Sequence, residues 1–279
     1  MTSDADEMPP VDLVALADRG WPALETIDVG GWLARFAGGV TKRANSVLPG
    51  GPVPDIAQAI QCVESLYRAR GIRAAFQLID ADDALERVLR DHGYTPVDET
   101  LIMVRRDRTP LDVGPASGSG HRVGEAGTRT SAVRADAESN DLVRIADEPD
   151  DDWLDVWWSV DGRGGDPERR VARRIMVGAP ALYASLNDMN GTACVGRLAL
   201  VDGWGGLYAV ATRVDARRRG HALTVLARMI DAAAARGVSN LWLQVLADNP
   251  GAIALYRSLG FTPAGGYRYL IAPDASLVE

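Results

Sequence analysis

The chain has 279 residues, 47% hydrophobic and 24% charged, which suffices for a real core and for two modest domains. No apolar run approaches a membrane span, and the acidic Met1–Pro10 lacks an apolar signal core, so a cytoplasmic, soluble protein without a membrane partner is expected. The net charge of −8 argues against a nucleic-acid partner, and two distant cysteines, Cys62 and Cys194, argue against a disulfide framework or a metal site.

In chain order, Gly31–Phe36 and Arg43–Leu48 read as strands, and Asp55–Arg70 as a helix with Ile56, Ile60, Val63 and Tyr67 on one side. Ala74–Ile79 is a strand, Ala84–His92 a short helix and Thr100–Val104 a last strand. Thr109–Gly120, rich in glycine and proline, reads as a linker. Beyond it, Leu182–Ser185, Thr192–Val201 and Gly206–Thr212 are strands. A helix follows with Leu223, Leu226 and Ile230 on one face, closed by Arg236-Gly237. Leu241–Leu246 has a buried-strand pattern, Asn249-Pro250 opens a helix over Gly251–Leu259, and Phe261 to Ile271 reads as a strand pair around Gly265-Gly266.

The two segments end alike. Leu89 to Pro96 and Tyr256 to Pro263 are both helix ends followed by glycine, an aromatic residue and Thr-Pro, which suggests an internal duplication. The expected organisation is a first half at residues 1–108, a linker at 109–120 and a second half at 121–279.

The stretch from Val210 to Ala222 carries the most chemistry. An apolar strand runs into Arg217, Arg218, Arg219 and Gly220 and then into an apolar helix. Such a turn aims unpaired backbone N–H groups, a helix dipole and guanidinium groups at one point, which suits a polyphosphate. Hydrated surface arginines are the bland alternative.

These residues resemble the GCN5-related N-acetyltransferase (GNAT) superfamily. Its signature Gln/Arg-x-x-Gly-x-Gly/Ala is matched by Arg217, Gly220 and Ala222. Its downstream element is matched by Asn249, Ala252, Tyr256 and Leu259-Gly260-Phe261, with a helix and a buried strand in between. The resemblance covers residues 121–279 well and the first 108 only in outline. It implies an α/β (α+β) fold of two GNAT-like halves, each a mixed, mostly antiparallel twisted sheet flanked by helices.

It further implies an acetyl-CoA-dependent N-acetyltransferase. The amides of Arg218, Arg219, Gly220, His221 and Ala222 would face the pyrophosphate of coenzyme A, with arginine side chains at its 3′-phosphate. Val210 and Thr212 would pair the preceding strand with the pantetheine arm, and Asn249 would cap its helix and touch the cofactor. Tyr256 would protonate the leaving thiolate. The family's proline before the turn is replaced by Val214.

The first half has Leu48 to Pro54 at the position of the turn, where three prolines delete donors, and Leu89 in place of Tyr256, so it carries no cofactor motif. Arg35, Thr41, Arg43 and Asn45 form a polar cluster, either hairpin solvation or a cleft lining. The acidic run Asp147 to Asp152 before Trp153, Trp157 and Trp158 is either a cationic-acceptor rim or, more simply, a solvated loop before a core-packed helix. No general base is legible, and His121 and His221 stand isolated.

The acceptor is expected to be an amine, in a small molecule or a protein, acylated by direct attack, with the protein a monomer or homodimer. Two other readings stand beside this one. A non-catalytic acyl-CoA sensor or scaffold would keep the turn without turnover, and a two-half enzyme resembling the mycothiol-synthase type would run the same chemistry on a thiol precursor.

Overall fold

The computed structural model describes residues 12–106 and 143–274, so the expected linker and His121 lie outside the described residues. The chain begins with helix α1 (Leu13–Gly20), capped by Asp12, whose carboxylate accepts from the Val14 and Ala15 amides. A hairpin of β1 (Glu25–Val29) and β2 (Trp32–Phe36) follows, then β3 (Val47–Leu48), α2 (Ile56–Arg68), β4 (Ala75–Leu78), α3 (Asp83–Asp91) and β5 (Thr95–Arg105). The second segment holds β6 (Val143–Ala146), α4 (Asp151–Asp161), α5 (Asp166–Met176), β7 (Ala181–Asp188), β8 (Gly191–Val201) and β9 (Trp204–Thr212). It closes with α6 (His221–Ala234), β10 (Asn240–Leu246), α7 (Pro250–Ser258) and β11 (Thr262–Ile271).

The 11 strands of the described residues form one sheet in the order β1-β2-β3-β4-β11-β5-β10-β9-β8-β7-β6. The middle of the sheet is interleaved. The last strand of the chain, β11, pairs antiparallel with β4 and β5, and β5 pairs antiparallel with β10. Neither β5 nor β11 is left as an open edge, because each is covered on both sides by the other segment's strands. β9 and β10 are one parallel pair in a mostly antiparallel sheet, joined by the crossover helix α6.

Helix α6 buries Val225, Leu226, Met229, Ile230 and Ala233 against Leu198, Leu207, Leu241 and Leu243 on one face of the sheet. The opposite face carries α1, α4 and α5, with Trp21, Trp153, Trp157, Tyr208 and Trp242 at its core. Trp153 and Trp157 are therefore structural, and Asp150 caps α4 by accepting from the Trp153 amide, which settles the acidic run in favour of the simpler account. Under α2 lies a third cluster around Trp32, Phe36, Tyr67 and Phe76.

Arg197 of β8 locks α1 to this core. Fully buried, it donates to the carbonyls of Gly20 at 2.7 Å and Met176 at 2.9 Å, the C-terminal ends of α1 and α5, and lies over Trp21 and Tyr208. Two negative helix ends compensate its charge where no carboxylate does. Tyr208 adds a hydrogen bond from its hydroxyl to the Ala17 carbonyl.

Two expectations are corrected. Of Arg43–Leu48 only Val47–Leu48 is a strand. Lys42–Ala44 is a 3₁₀ turn, because the Asn45 side chain takes the place of a ladder partner. It accepts from the Ala37 and Gly39 amides and donates to the Thr41 carbonyl. Phe261 to Ile271 does not fold back on itself either. It is one strand with register shifts against β5, and Gly266 serves a close backbone approach, a Cβ there meeting the Thr100 carbonyl at 3.0 Å. Helices α1 and α5 and strands β1 and β6 are further elements that the sequence patterns did not announce.

Candidate active site

β9 and β10 run side by side only as far as Leu207 and Leu243, after which they separate. A bulge accompanies the parting: between Val195 and Arg197 β8 advances two residues while β9 advances three, and Ala209 takes a φ of 51°. On its β8 side β9 stays paired through Thr212. Its other edge, from Tyr208 through Val210 to Thr212, faces the opening with no strand of the described residues beside it. A sheet interior that opens in this way offers main-chain donors and acceptors to an extended ligand.

The opening leads to the arginine turn. Arg213 anchors its start, pairing with Asp188 at 2.9 Å and Asp215 at 2.6 Å and donating to the Thr192 carbonyl. Val214–Ala216 form a 3₁₀ turn with Ala216 buried, and Val214 is exposed. Arg217 donates to the Thr212 carbonyl at 3.2 Å, while Arg217, Arg218 and Arg219 all reach solvent. Arg218 has a φ of 64° and Gly220 a φ of 84°, so the chain enters α6 through left-handed backbone. A Cβ on Gly220 would meet nothing within 4 Å, so the glycine serves conformation and the space before the helix is open.

The end of α6 differs from its counterparts. Helices α1, α2, α4 and α7 are capped by Asp12, Asp55, Asp150 and Asn249, and α3 and α5, without such caps, carry acids in their first turns, whereas α6 has neither a side-chain cap nor an acid there. Its first amides, at His221 and Ala222, stand with the guanidinium groups before open space, and the His221 Nε2 is buried without a partner. The comparison with α2 is informative, because there the carboxylate of Asp55 already occupies the position an anion would take.

Asn249 caps α7, its side-chain oxygen accepting from the Ala252 amide at 3.0 Å. One face of α7 carries Tyr256, its ring edge-on to Phe261. Burial pushes the Tyr256 hydroxyl up to about 12, Arg43 opposing and Asp161 reinforcing, so the phenol holds its proton at neutral pH.

Asp161 is not assigned by the sequence, and Arg43 only as one member of a polar cluster that could line a cleft. Arg43 projects from the turn held by Asn45 and lies 5.9 Å from the centre of the Tyr208 ring, beside the hydroxyls of Tyr267 and Tyr269. The hairpin-solvation account of its cluster fails. Arg35 is buried, donating to Asp18 at 2.7 Å, to Ser46 and to Gln77, and Asn45 is spent on the loop. Asp161 ends α4 and remains accessible, yet desolvation raises its carboxyl, against the pull of Arg43, Arg163, a hydrogen bond from Trp157, and Arg217. An acid at a helix C-terminus opposes the dipole, a local violation that could have flagged it. No His, Cys, Asp or Glu group able to hold a metal occurs among the described residues.

A family model described as the C-terminal region of the probable histone acetyltransferase Rv0428c matches residues 12–270. The chain is a GNAT-family acetyltransferase. This GNAT chain is 27% identical over 260 residues to the uncharacterized N-acetyltransferase YobR of Bacillus subtilis (strain 168), covering 92% of this chain and 96% of that one. A stretch of 58 residues is 48% identical to the [ribosomal protein bS18]-alanine N-acetyltransferase of Salmonella typhimurium, 21% of this chain and 39% of that enzyme. Among solved structures, the tandem GNAT protein from the clavulanic acid biosynthesis pathway shares the fold with a TM-score of 0.59 at 12% identity, over 96% of this chain and 90% of its own. The GNAT enzyme is thus a mixed α/β protein, and no described helix is long and apolar enough to cross a membrane.

Proposed function

We propose that the protein is an acetyl-CoA-dependent N-acetyltransferase that acylates an amine directly, without a covalent enzyme intermediate. The observation that carries the reading is the uncapped, left-handed entry to α6, open to solvent and flanked by three arginines, at the end of a strand that has parted from its neighbour. These residues fit the coenzyme. The amides of Arg218 to Ala222 and the guanidinium groups of Arg217, Arg218 and Arg219 would hold its phosphates. The free edge of β9 at Val210 and Thr212 would hold its pantetheine arm, and Asn249 would flank it. When bound, the coenzyme supplies an acetyl thioester, an acyl carbon open to an amine and a sulfur able to leave.

Asp161 takes the proton from the acceptor ammonium, its raised carboxyl being a better base than an ordinary aspartate. The Tyr256 hydroxyl, kept protonated by burial, donates to the departing sulfur. Neither cysteine serves as a nucleophile. Burial pushes the Cys194 thiol up to about 11, and it is held by the Thr212 hydroxyl, while Cys62 lies exposed on α2, away from the turn. In the two-half organisation, with 1–108 as the half that carries no cofactor motif, that half contributes Arg43 to the acceptor side.

Calorimetry with acetyl-CoA, followed by thiol release on an amine panel, tests this. Binding in the micromolar range with amine-dependent thiol release is expected. Binding without release from any amine would leave the sensor reading, and absence of binding would end both.

A further inference from the structure

Resting on the transferase reading, the acceptor side of the cleft has a chemistry of its own. On the face of the sheet opposite α6, Tyr208 and Trp242 stand together, the Trp242 indole N–H donating to the Tyr208 hydroxyl at 3.2 Å. Gln244 follows Trp242 on the same face of β10 and is register partner to Ile102, which packs on Tyr267 and Tyr269. Arg43 enters this aromatic floor from the Asn45-held turn.

Three features of this floor are unexplained by packing. The Arg43 guanidinium has tyrosine hydroxyls for neighbours, and no described carboxylate lies within 4.0 Å of it. The Tyr269 hydroxyl is buried, on a residue only 3% exposed, and lies beside the Tyr267 hydroxyl without a well-aligned hydrogen bond. The Gln244 side-chain oxygen is buried and unpartnered as well. Leaving such groups unpaired is costly, so a ligand or ordered water completes them. Burial keeps the Tyr269 phenol protonated, so it offers a donor. A cation and a donor suit an anion, while the Gln244 oxygen and the Asp161 carboxylate suit an ammonium.

The charge pattern narrows the acceptor further. Arg43, Arg163 and Arg217 all act on Asp161, so this acid is surrounded by cations, while Asp98, Glu99 and Asp248 line a separate hollow at the end of β10. One guanidinium aided by a neutral phenol matches a single negative charge better than a doubly charged phosphate.

We infer that the acceptor is a small amino acid-type molecule, its carboxylate held by Arg43 and Tyr269 and its amine presented to Asp161. In the transfer, Asp161 removes one proton from the ammonium. The nitrogen lone pair forms the N–C bond to the acetyl carbon as the C–S bond breaks. The sulfur takes a proton from Tyr256, and the second nitrogen proton restores the phenol through solvent.

The test compares free L-amino acids, their carboxamides and a lysine-rich peptide as acceptors. Readouts are thiol release and calorimetric binding of the same compounds to the enzyme loaded with desulfo-coenzyme A. Acids should exceed their amides by at least about 100-fold in kcat/KM, since a site built for a polar group rejects the analogue lacking it. Arg43→Gln should bring the two within about threefold and Arg43→Lys should restore part of the preference, with acetyl-CoA affinity unchanged in both. Amides or the peptide used as well as acids, or a preference indifferent to Arg43→Gln, overturns this assignment and leaves the transferase standing. Thiol release from no compound, with acetyl-CoA still bound, removes the transferase reading and this assignment with it.

Discussion

Gly220 allows the anion site to be tested by charge alone. Asn and Asp are nearly isosteric, both tolerate left-handed backbone, and open space surrounds the missing Cβ, so neither Gly220→Asn nor Gly220→Asp should clash. Each should lower stability by about 1 kcal/mol for the left-handed φ, and the Asp variant should recover roughly 0.3–1 kcal/mol from the α6 dipole. Their affinities for acetyl-CoA should part. A carboxylate ~6 Å from a phosphate in a medium of effective dielectric ~40 costs about 1.4 kcal/mol per phosphate charge. With two charges opposed, Gly220→Asp should bind on the order of 10- to 100-fold more weakly than Gly220→Asn, and the gap should narrow as salt rises. Thermal melts and calorimetry at low and high salt measure both quantities. Equal dissociation constants for the two variants at low salt would refute the placement of phosphate before α6.

Other outcomes follow from the same geometry. Tyr256→Phe should lower kcat by roughly 10²-fold while leaving acetyl-CoA binding intact, and the wild-type rate should stay free of a phenol ionisation up to about pH 10, the hydroxyl being pushed up to about 12. Asp161→Asn should lower kcat/KM by roughly 10²- to 10⁴-fold and abolish an acid limb lying above the ordinary aspartate range. The same variant should be more stable than wild type at pH 7. A carboxyl raised in the folded state favours folding only while protonated, so its charged form weighs against the fold as pH rises, and the advantage of Asn should vanish in acid. Arg197→Met should destabilise by about 2–4 kcal/mol in denaturant melts, since it leaves the Gly20 carbonyl buried and unpaired and leaves the Met176 carbonyl only the Tyr183 hydroxyl. In native protein a thiol reagent should titrate Cys62 and spare Cys194, and both should react after denaturation.

Local chemistry made the conformation of the turn before α6 legible in the sequence. The turn at Arg217 to Ala222 and the cap at Asn249 depend on backbone conformation and nearest neighbours, which a short pattern encodes, and the periodicities of α2 and α6 and of β9 and β10 set their buried faces directly. Other features required the tertiary structure. The exchange of β5 and β11 joins strands far apart in sequence, and no local pattern states which edge a strand will cover. In the sequence Arg43 stays between hairpin solvation and cleft lining, because its surroundings depend on Asn45 folding the loop over β9 and β11, and Asp161 meets Arg43 and Tyr256 only where α4 ends. Sequence by itself determined what could grip an anion, since amides at a helix entry need only their own neighbours. Which charges meet across the cleft was decided by packing, because Coulomb and hydrogen-bond terms depend on distances through space that only the assembled sheet sets.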